Sequence, residues 1–321
     1  MSKKEIEVTF KTITPIWTGD INGECTEIKP ASIMGSLRFW FEVYCHFSEI
    51  KVKENENLDY KTFEKIRKEA FEKYNKKEIS DIEKYIIKKL PLTAPSKIFG
   101  CTGWKSGIEI EKLNSNIIEI NKNEFDYKFL FDDFSTEWWN NKILFNNKNQ
   151  IKLFENIKIN LKINTVILEE FKKFLKFYEN KVILVGGKKS FGFGFTKLKS
   201  NINLENVSIN IKNKDYIIWK QVDNIKNNKK VLGYNFKYFL RQKEDKKYRK
   251  INFGSLGVAS NYYFSNLIND SIIIIAFNNN KNVLTKYKNW ITERLEHNKN
   301  NKFNNKNEKS IQDLINLFSN R

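Results

Sequence analysis

Gly186-Gly187-Lys188-Lys189-Ser190-Phe191-Gly192-Phe193-Gly194-Phe195 is the stretch on which the reading of the fold turns. Four glycines in nine residues allow positive φ and close backbone approach. Backbone N–H groups exposed in such a turn form an anion-binding concavity. Lys188, Lys189 and Ser190 add two cations and a hydroxyl, the means by which a protein holds a phosphate strand without reading bases. Phe191 and Phe193 have two readings: stacking on bases, or, in keeping with how often phenylalanine is buried, packing into a core. The loop is not a Walker A motif, because no Gly-Lys-Ser/Thr ending follows. Nor is it a dinucleotide-binding loop, because Gly192-x-Gly194 leads into a strand-like segment and not a helix.

Upstream of the loop, Ile151 to Thr165 alternates polar and apolar residues and predicts a long strand. Leu168 to Tyr178 predicts a helix, and Lys181 to Val185 a strand entering the loop. Phe193 to Lys199 predicts the strand leaving it. At the N-terminus, Ile6, Val8 and Phe10 alternate within Glu5 to Thr14, a half-buried strand that Pro15 and Gly19 end. Pro30 suits the first turn of a helix. From Ile33 onward Leu37, Trp40, Tyr44 and Phe47 form an apolar stripe, with Arg38, Glu42 and His46 on the opposite face. The free N–H groups of that helix start, with Ser32, Ser36, Lys29 and Arg38, favour an anion. The alternative is that Ser32 caps the helix and Arg38 pairs with Glu42. Lys61 to Tyr74 and Ser80 to Leu90 read as two further helices, an insertion over about residues 58–92. Strands are expected at Gly107 to Glu111 and Ile117 to Ile120, and a polar loop at Asn140 to Gln150. Without the insertion the order is β-α-β-β-α-β.

The two glycine-bearing segments carry a resemblance. Thr14-Pro15-Ile16-Trp17-Thr18-Gly19, running on to Lys29-Pro30-Ala31-Ser32-Ile33-Met34-Gly35-Ser36-Leu37-Arg38-Phe39-Trp40, stands about 150 residues before the glycine loop. In this order they resemble the RAMP superfamily of CRISPR-associated RNA-binding proteins. The helix Gly35-Ser36-Leu37-Arg38-Phe39-Trp40-Phe41 narrows the likeness to a subunit family of the type III-B (Cmr) RNA-guided effector complex. The resemblance covers roughly the first 200 residues. It implies an α+β chain with tandem ferredoxin-like (RRM-like) domains, a glycine-rich loop and a helical insertion in the first. It also implies a non-catalytic subunit near the 3′ part of the guide RNA that helps capture target RNA. Its partners would be guide and target RNA and the other RAMP subunits of that complex. The expected division is 1–205 for the first domain and 206–321 for a second, degenerate one. Phe253-Gly254-Ser255-Leu256-Gly257 faintly echoes Phe99-Gly100-Cys101-Thr102-Gly103. The family's RNA-facing positions fall here on Lys29, Ser32, Arg38, Lys105, Lys188, Lys189, Ser190, Phe191, Gly192 and Gly194.

Two other readings compete. Some relatives are metal-independent endoribonucleases that mature guide RNA with a histidine near the first helix. His46 lies on that helix, and the sequence does not name its partner. Others are repeated backbone subunits that coat the guide. Asp20, Asp132 and Asp133 lie in no cleavage motif.

The net charge of +19 over 321 residues favours a polyanionic partner, although an A/T-rich coding bias would also enrich lysine and asparagine. Cys25, Cys45 and Cys101 lack Cys-x-x-Cys spacing, and His46 and His297 stand far apart. No zinc set, metal or other cofactor is expected. The same cysteine usage fits a reducing cytoplasm. The N-terminus lacks a signal-peptide core, and no apolar run could span a bilayer, so no membrane partner is expected. Residues 284–295 and 310–318 read as helices, with an Asn/Lys-rich linker at 298–309.

Overall fold

The computed structural model describes residues 3–20, 23–212, 217–222, 227–254, 259–267 and 270–277, with single positions at 286, 290 and 294. The linker at 298–309, the helix at 310–318, most of 284–295, His297 and residues 255–257 of the faint echo lie outside the described residues.

The first strand, β1 (Lys3–Thr12), turns Ile6, Val8 and Phe10 into the core, one residue in two. Helix α1 (Pro30–Phe47) follows, with Pro30 in its first turn and Lys29 as an extended N-cap. It buries Ile33, Leu37, Trp40, Phe41 and Tyr44. The insertion is helical where expected. Its helices α2 (Tyr60–Asn75) and α3 (Ile82–Lys89) are capped by Asp59 and Asp81, whose carboxylates accept the N–H groups of Thr62 and Lys84. It has a small core of its own around Leu58, Leu90 and Leu92. A short helix α4 (Ala94–Phe99) then runs to Gly100.

The two strands expected at 107–120 are one, β2 (Ile108–Asn121). It is interrupted only by register shifts at Ile110/Lys112 and Asn114/Asn116, which break the alternation and hide its continuity from the sequence. The polar loop expected at Asn140 to Gln150 is another correction. Helix α5 (Glu137–Ile143) enters it, Asn140 is fully buried, and Leu144 and Phe145 join the core. Then come β3 (Gln150–Asn164), α6 (Leu168–Tyr178), β4 (Val182–Leu184) and β5 (Phe195–Ser200).

These strands form one antiparallel sheet in the order β2-β3-β1-β5-β4. Without the short edge strand β4, that is the ferredoxin-like arrangement. Helices α1 and α6 cover one face, meeting through Phe41–Phe174 and Tyr44–Phe177, each with ring centroids 5.6 Å apart.

The chain continues through β6 (Ile218–Val222), α7 (Gly233–Lys243), α8 (Lys246–Phe253), β7 (Tyr262–Phe264) and β8 (Ile272–Ala276). The order β6-β8-β7 matches the first three strands of a second ferredoxin-like unit. β8 is buried on both faces, which accounts for its unbroken isoleucines. Ile273 and Ile275 join the first core; Ile272, Ile274 and Ala276 join a second core with Phe236, Leu240 and Phe253. The segment between β2 and β3 is fastened to α7. Asn235 donates to the carbonyls of Asp126 (3.0 Å) and Phe129 (3.3 Å) and accepts from Thr136 at 2.9 Å.

Candidate nucleic-acid interface

The fold brings the two signature segments together. Trp17 and Gly187 form an antiparallel bridge, and the Gly187 N–H donates to the Trp17 carbonyl at 2.7 Å. The Gly194 N–H reaches the Pro15 carbonyl at 2.8 Å. From α1, Ser36 Oγ accepts the Gly186 N–H at 3.2 Å and donates to the Ser32 carbonyl at 2.9 Å. Trp40, fully buried, donates its indole N–H to the Leu184 carbonyl at 2.8 Å.

This lacing ties up the glycine N–H groups that an open anion cradle would have offered. The N–H groups of Gly186, Gly187, Phe191, Gly192 and Gly194 all donate within the protein. The glycines serve close approach instead. A Cβ on Gly192, at φ +95°, would lie 2.1 Å from Asn266 Oδ1. One on Gly194, at φ +82°, would lie 2.1 Å from the Val185 carbonyl oxygen.

The loop lysines are not the free exposed cations expected either. Lys188 donates to the Ile143 carbonyl at 2.8 Å and lies 5.1 Å from the Trp17 ring. Lys189 lies 5.8 Å from the Phe39 ring. Burial lowers the pKa of both. Ser190 Oγ accepts from Lys237 at 3.1 Å. Phe191 is buried and stacked on Tyr234, centroids 5.1 Å apart and planes 15° from parallel, so its ring is not open to a base. Phe193 is fully buried as well.

The helix start also differs from a phosphate clamp. Lys29 pairs with Glu27. Ser32 does not cap α1, which has no side-chain N-cap bond. Arg38 pairs with Glu42 at 2.9 Å, as its alternative reading had it, and also donates to the Gly100 carbonyl at 2.8 Å. Lys105 pairs with Glu109 at 2.7 Å, remote in role from the loop. Lys105 and then Lys3 hold the Glu109 carboxyl down at about 2. His46 is exposed on the outer side of α1. Asp132 pairs with Arg294 at 2.6 Å, and Asp20 accepts the Glu24 N–H at 2.9 Å. Among the described residues no group of three or more His, Cys, Asp or Glu side chains could hold a metal. No described helix is long and apolar enough to cross a membrane.

The RAMP superfamily model matches residues 9–197, more than half of the chain and the whole span from Thr14 to the glycine loop. The chain belongs to the RAMP superfamily. Among solved structures it resembles apo Cmr1 from Pyrococcus furiosus, at 14% identity over 87% of this chain and 88% of that one, with a TM-score of 0.44. Comparison with curated proteins gives no match.

The basic surface of this RAMP protein lies partly where sequence reasoning did not look. On the sheet face away from α1 and α6, Lys11 stands opposite Lys197 across the β1–β5 ladder. Thr9 pairs with Lys158 on one side and Lys199 on the other. All four lysines are exposed, and none forms an ion pair among the described residues. Alternation within three strands could have placed them on one face, but only the strand order makes them neighbours. Lys237 and Tyr234, which meet Ser190 and Phe191, were missed because no helix was expected at 233–243.

Proposed function

We propose that this chain is a non-catalytic, RNA-binding subunit of a type III-B CRISPR effector complex, close to the 3′ part of the guide RNA and engaged in capture of target RNA. Membership of the RAMP superfamily, across a span that includes both interlocked segments, carries this reading. Two features of the chain support it. The net charge of +19 favours a polyanion. Lys11, Lys158, Lys197 and Lys199, without an ion-pair partner among the described residues, offer a track for phosphates on the open sheet face. Its partners are guide and target RNA and the other RAMP subunits of the complex. No catalytic role is assigned to His46, since an acid–base nuclease needs two groups poised on the reacting oxygens.

Anisotropy titration of single-stranded RNA at several salt concentrations tests this. Affinity falls with salt by about 0.7 in log K per log unit for each phosphate neutralised. The double variant Lys197→Glu, Lys199→Glu weakens binding and flattens that slope. Salt-independent binding, or none at low salt, refutes the reading. Labelled repeat RNA remains intact with and without divalent metal; cutting that disappears in His46→Ala would make the protein a processing nuclease.

A further inference from the structure

A cleft of about 320 Å³ opens between α5 and α7, just past the glycine loop. Trp138, Trp139, Tyr234, Lys237, Tyr238 and Arg241 line it. That volume is at the lower end for small-molecule clefts, about 300–1,000 Å³.

Its walls have two unusual properties. The first is a column of near-parallel rings. Phe134 stacks on Tyr238 at 5.2 Å and 9°, Tyr238 on Tyr234 at 5.7 Å and 29°, and Tyr234 on Phe191 of the loop at 5.1 Å and 15°. At the mouth, Trp138 is 62% exposed, and it touches Trp139 only edge-on at 5.3 Å. A large indole held out of the core presents a free π-face. The second property is charge without a counter-charge. Lys237 is buried, and its ammonium donates to Ser190 Oγ. Arg241, one turn further along α7, repels it. Arg241 donates to the Gly254 carbonyl at 3.2 Å. Neither cation is paired with a carboxylate among the described residues. Two adjacent cations, one of them desolvated, are unfavourable until an anion joins them.

A ligand that answers both properties has a flat aromatic ring and a phosphate. We propose that this cleft binds a single unstacked nucleotide of an RNA strand, its base stacked on Trp138 beside the edges of the tyrosine column and its phosphate on Lys237 and Arg241. An acidic peptide would supply charge but no ring. The inference rests on the RNA-binding reading above and gives it a specific pocket. The Lys237–Ser190 bond places that pocket directly against the glycine loop.

The test uses the full chain, fluorescein-labelled oligo(U) and oligo(A), and free UMP and AMP, read by anisotropy and tryptophan emission. Trp138→Ala weakens oligonucleotide binding about 5- to 150-fold, the range of one lost base stack. It also removes the quenching that RNA causes in the wild type. Lys237→Met flattens the salt slope by about 0.7, one phosphate on a single strand. Trp138 is exposed enough that its removal leaves the fold intact, which a thermal melt verifies. If wild type binds RNA but Trp138→Ala and Lys237→Met bind equally well, the pocket assignment is wrong while the RNA-binding reading stands. If UMP or AMP quenches Trp138 and oligonucleotides do not, the ligand is a free nucleotide and the strand assignment falls. If wild type binds no RNA, the functional reading falls and this one with it.

Discussion

Replacing Lys237 by methionine removes an ammonium that the fold holds out of water, and it should make the protein more stable. Burial, with Arg241 nearby as a second cause, pushes the Lys237 pKa down to about 8. In an unfolded chain it titrates near 10.4. Below pH 8 both states carry the charge, and the folded state bears the whole cost of burying it. The gap corresponds to roughly 3 kcal/mol at about 1.4 kcal/mol per pH unit. Between about pH 8 and 10.4 the folded protein sheds the proton while the unfolded chain keeps it, so stability rises with pH across that window. Methionine keeps the stem's packing but forfeits the bond to Ser190, worth about 1 kcal/mol. Lys237→Met should therefore gain about 2 kcal/mol at pH 7, and the gain should vanish by about pH 10. Tyr234 lies on the same helix with its own pKa raised by burial, and comparing the two proteins at each pH cancels its titration. Urea unfolding of both at pH 7, 8.5 and 9.5 provides the measurement. A variant less stable than wild type at pH 7, or a difference independent of pH, would refute the reasoning. A nucleotide phosphate at this site reverses the sign: with RNA bound, the lysine form is the better stabilised.

Three further outcomes follow from named contacts. Gly192→Ala forces Asn266 aside and strains a positive φ at a cost of about 1–2 kcal/mol in backbone alone; thermal unfolding should show a lower Tm, and an unchanged Tm contradicts the close approach. Lys188→Met leaves the Ile143 carbonyl without that donor, at a cost of about 1–3 kcal/mol that relief of the buried ammonium partly offsets, so a net destabilisation below about 3 kcal/mol is expected; urea denaturation measures it, and a variant more stable than wild type contradicts the role given to that bond. Lys197→Glu relieves a like-charge pair with Lys11 and should stabilise the isolated protein by about 0.2–1 kcal/mol while weakening RNA binding, so melts and anisotropy must move in opposite directions.

What the sequence revealed depended on how local each cause was. Helix α6 was legible because Leu168, Phe171, Phe174, Leu175 and Tyr178 repeat at helical spacing between charged residues. Strands β1 and β3 were legible from alternation. Helix α7 was not, because Tyr234, Phe236, Tyr238 and Phe239 favour strands and only packing against β7 and the loop overrides them. Helix α5 was hidden by Asn140, a polar residue buried in the core whose side-chain NH2 donates to the Thr136 carbonyl at 2.8 Å. The candidate site suffered most. Glycine spacing correctly marked the loop, but its N–H groups meet carbonyls of Pro15 and Trp17, and no local pattern announces those partners.

The same nonlocal lacing explains why so much glycine and lysine gathers in one short segment. The loop is where three surfaces must meet at backbone distance. Gly187 lies against Trp17, Gly194 against Val185, and Gly192 against Asn266, at the edge of β7. A residue with a Cβ at these points would part the N-terminal segment from the hairpin, or the first sheet from the second. Immediately beyond, β5 carries Lys197 and Lys199 onto the open sheet face; immediately before, Ser190 holds Lys237 at the aromatic cleft. The loop thus fixes the distance between a lysine track and a ring-lined pocket, two features that a single strand of RNA would have to satisfy together. On the RNA-binding proposal the loop contributes placement. Its own lysines are largely committed, Lys188 to a carbonyl and both to aromatic faces. On that proposal, the loop of this chain organises the surface, and the residues that meet the strand are contributed by the elements it joins.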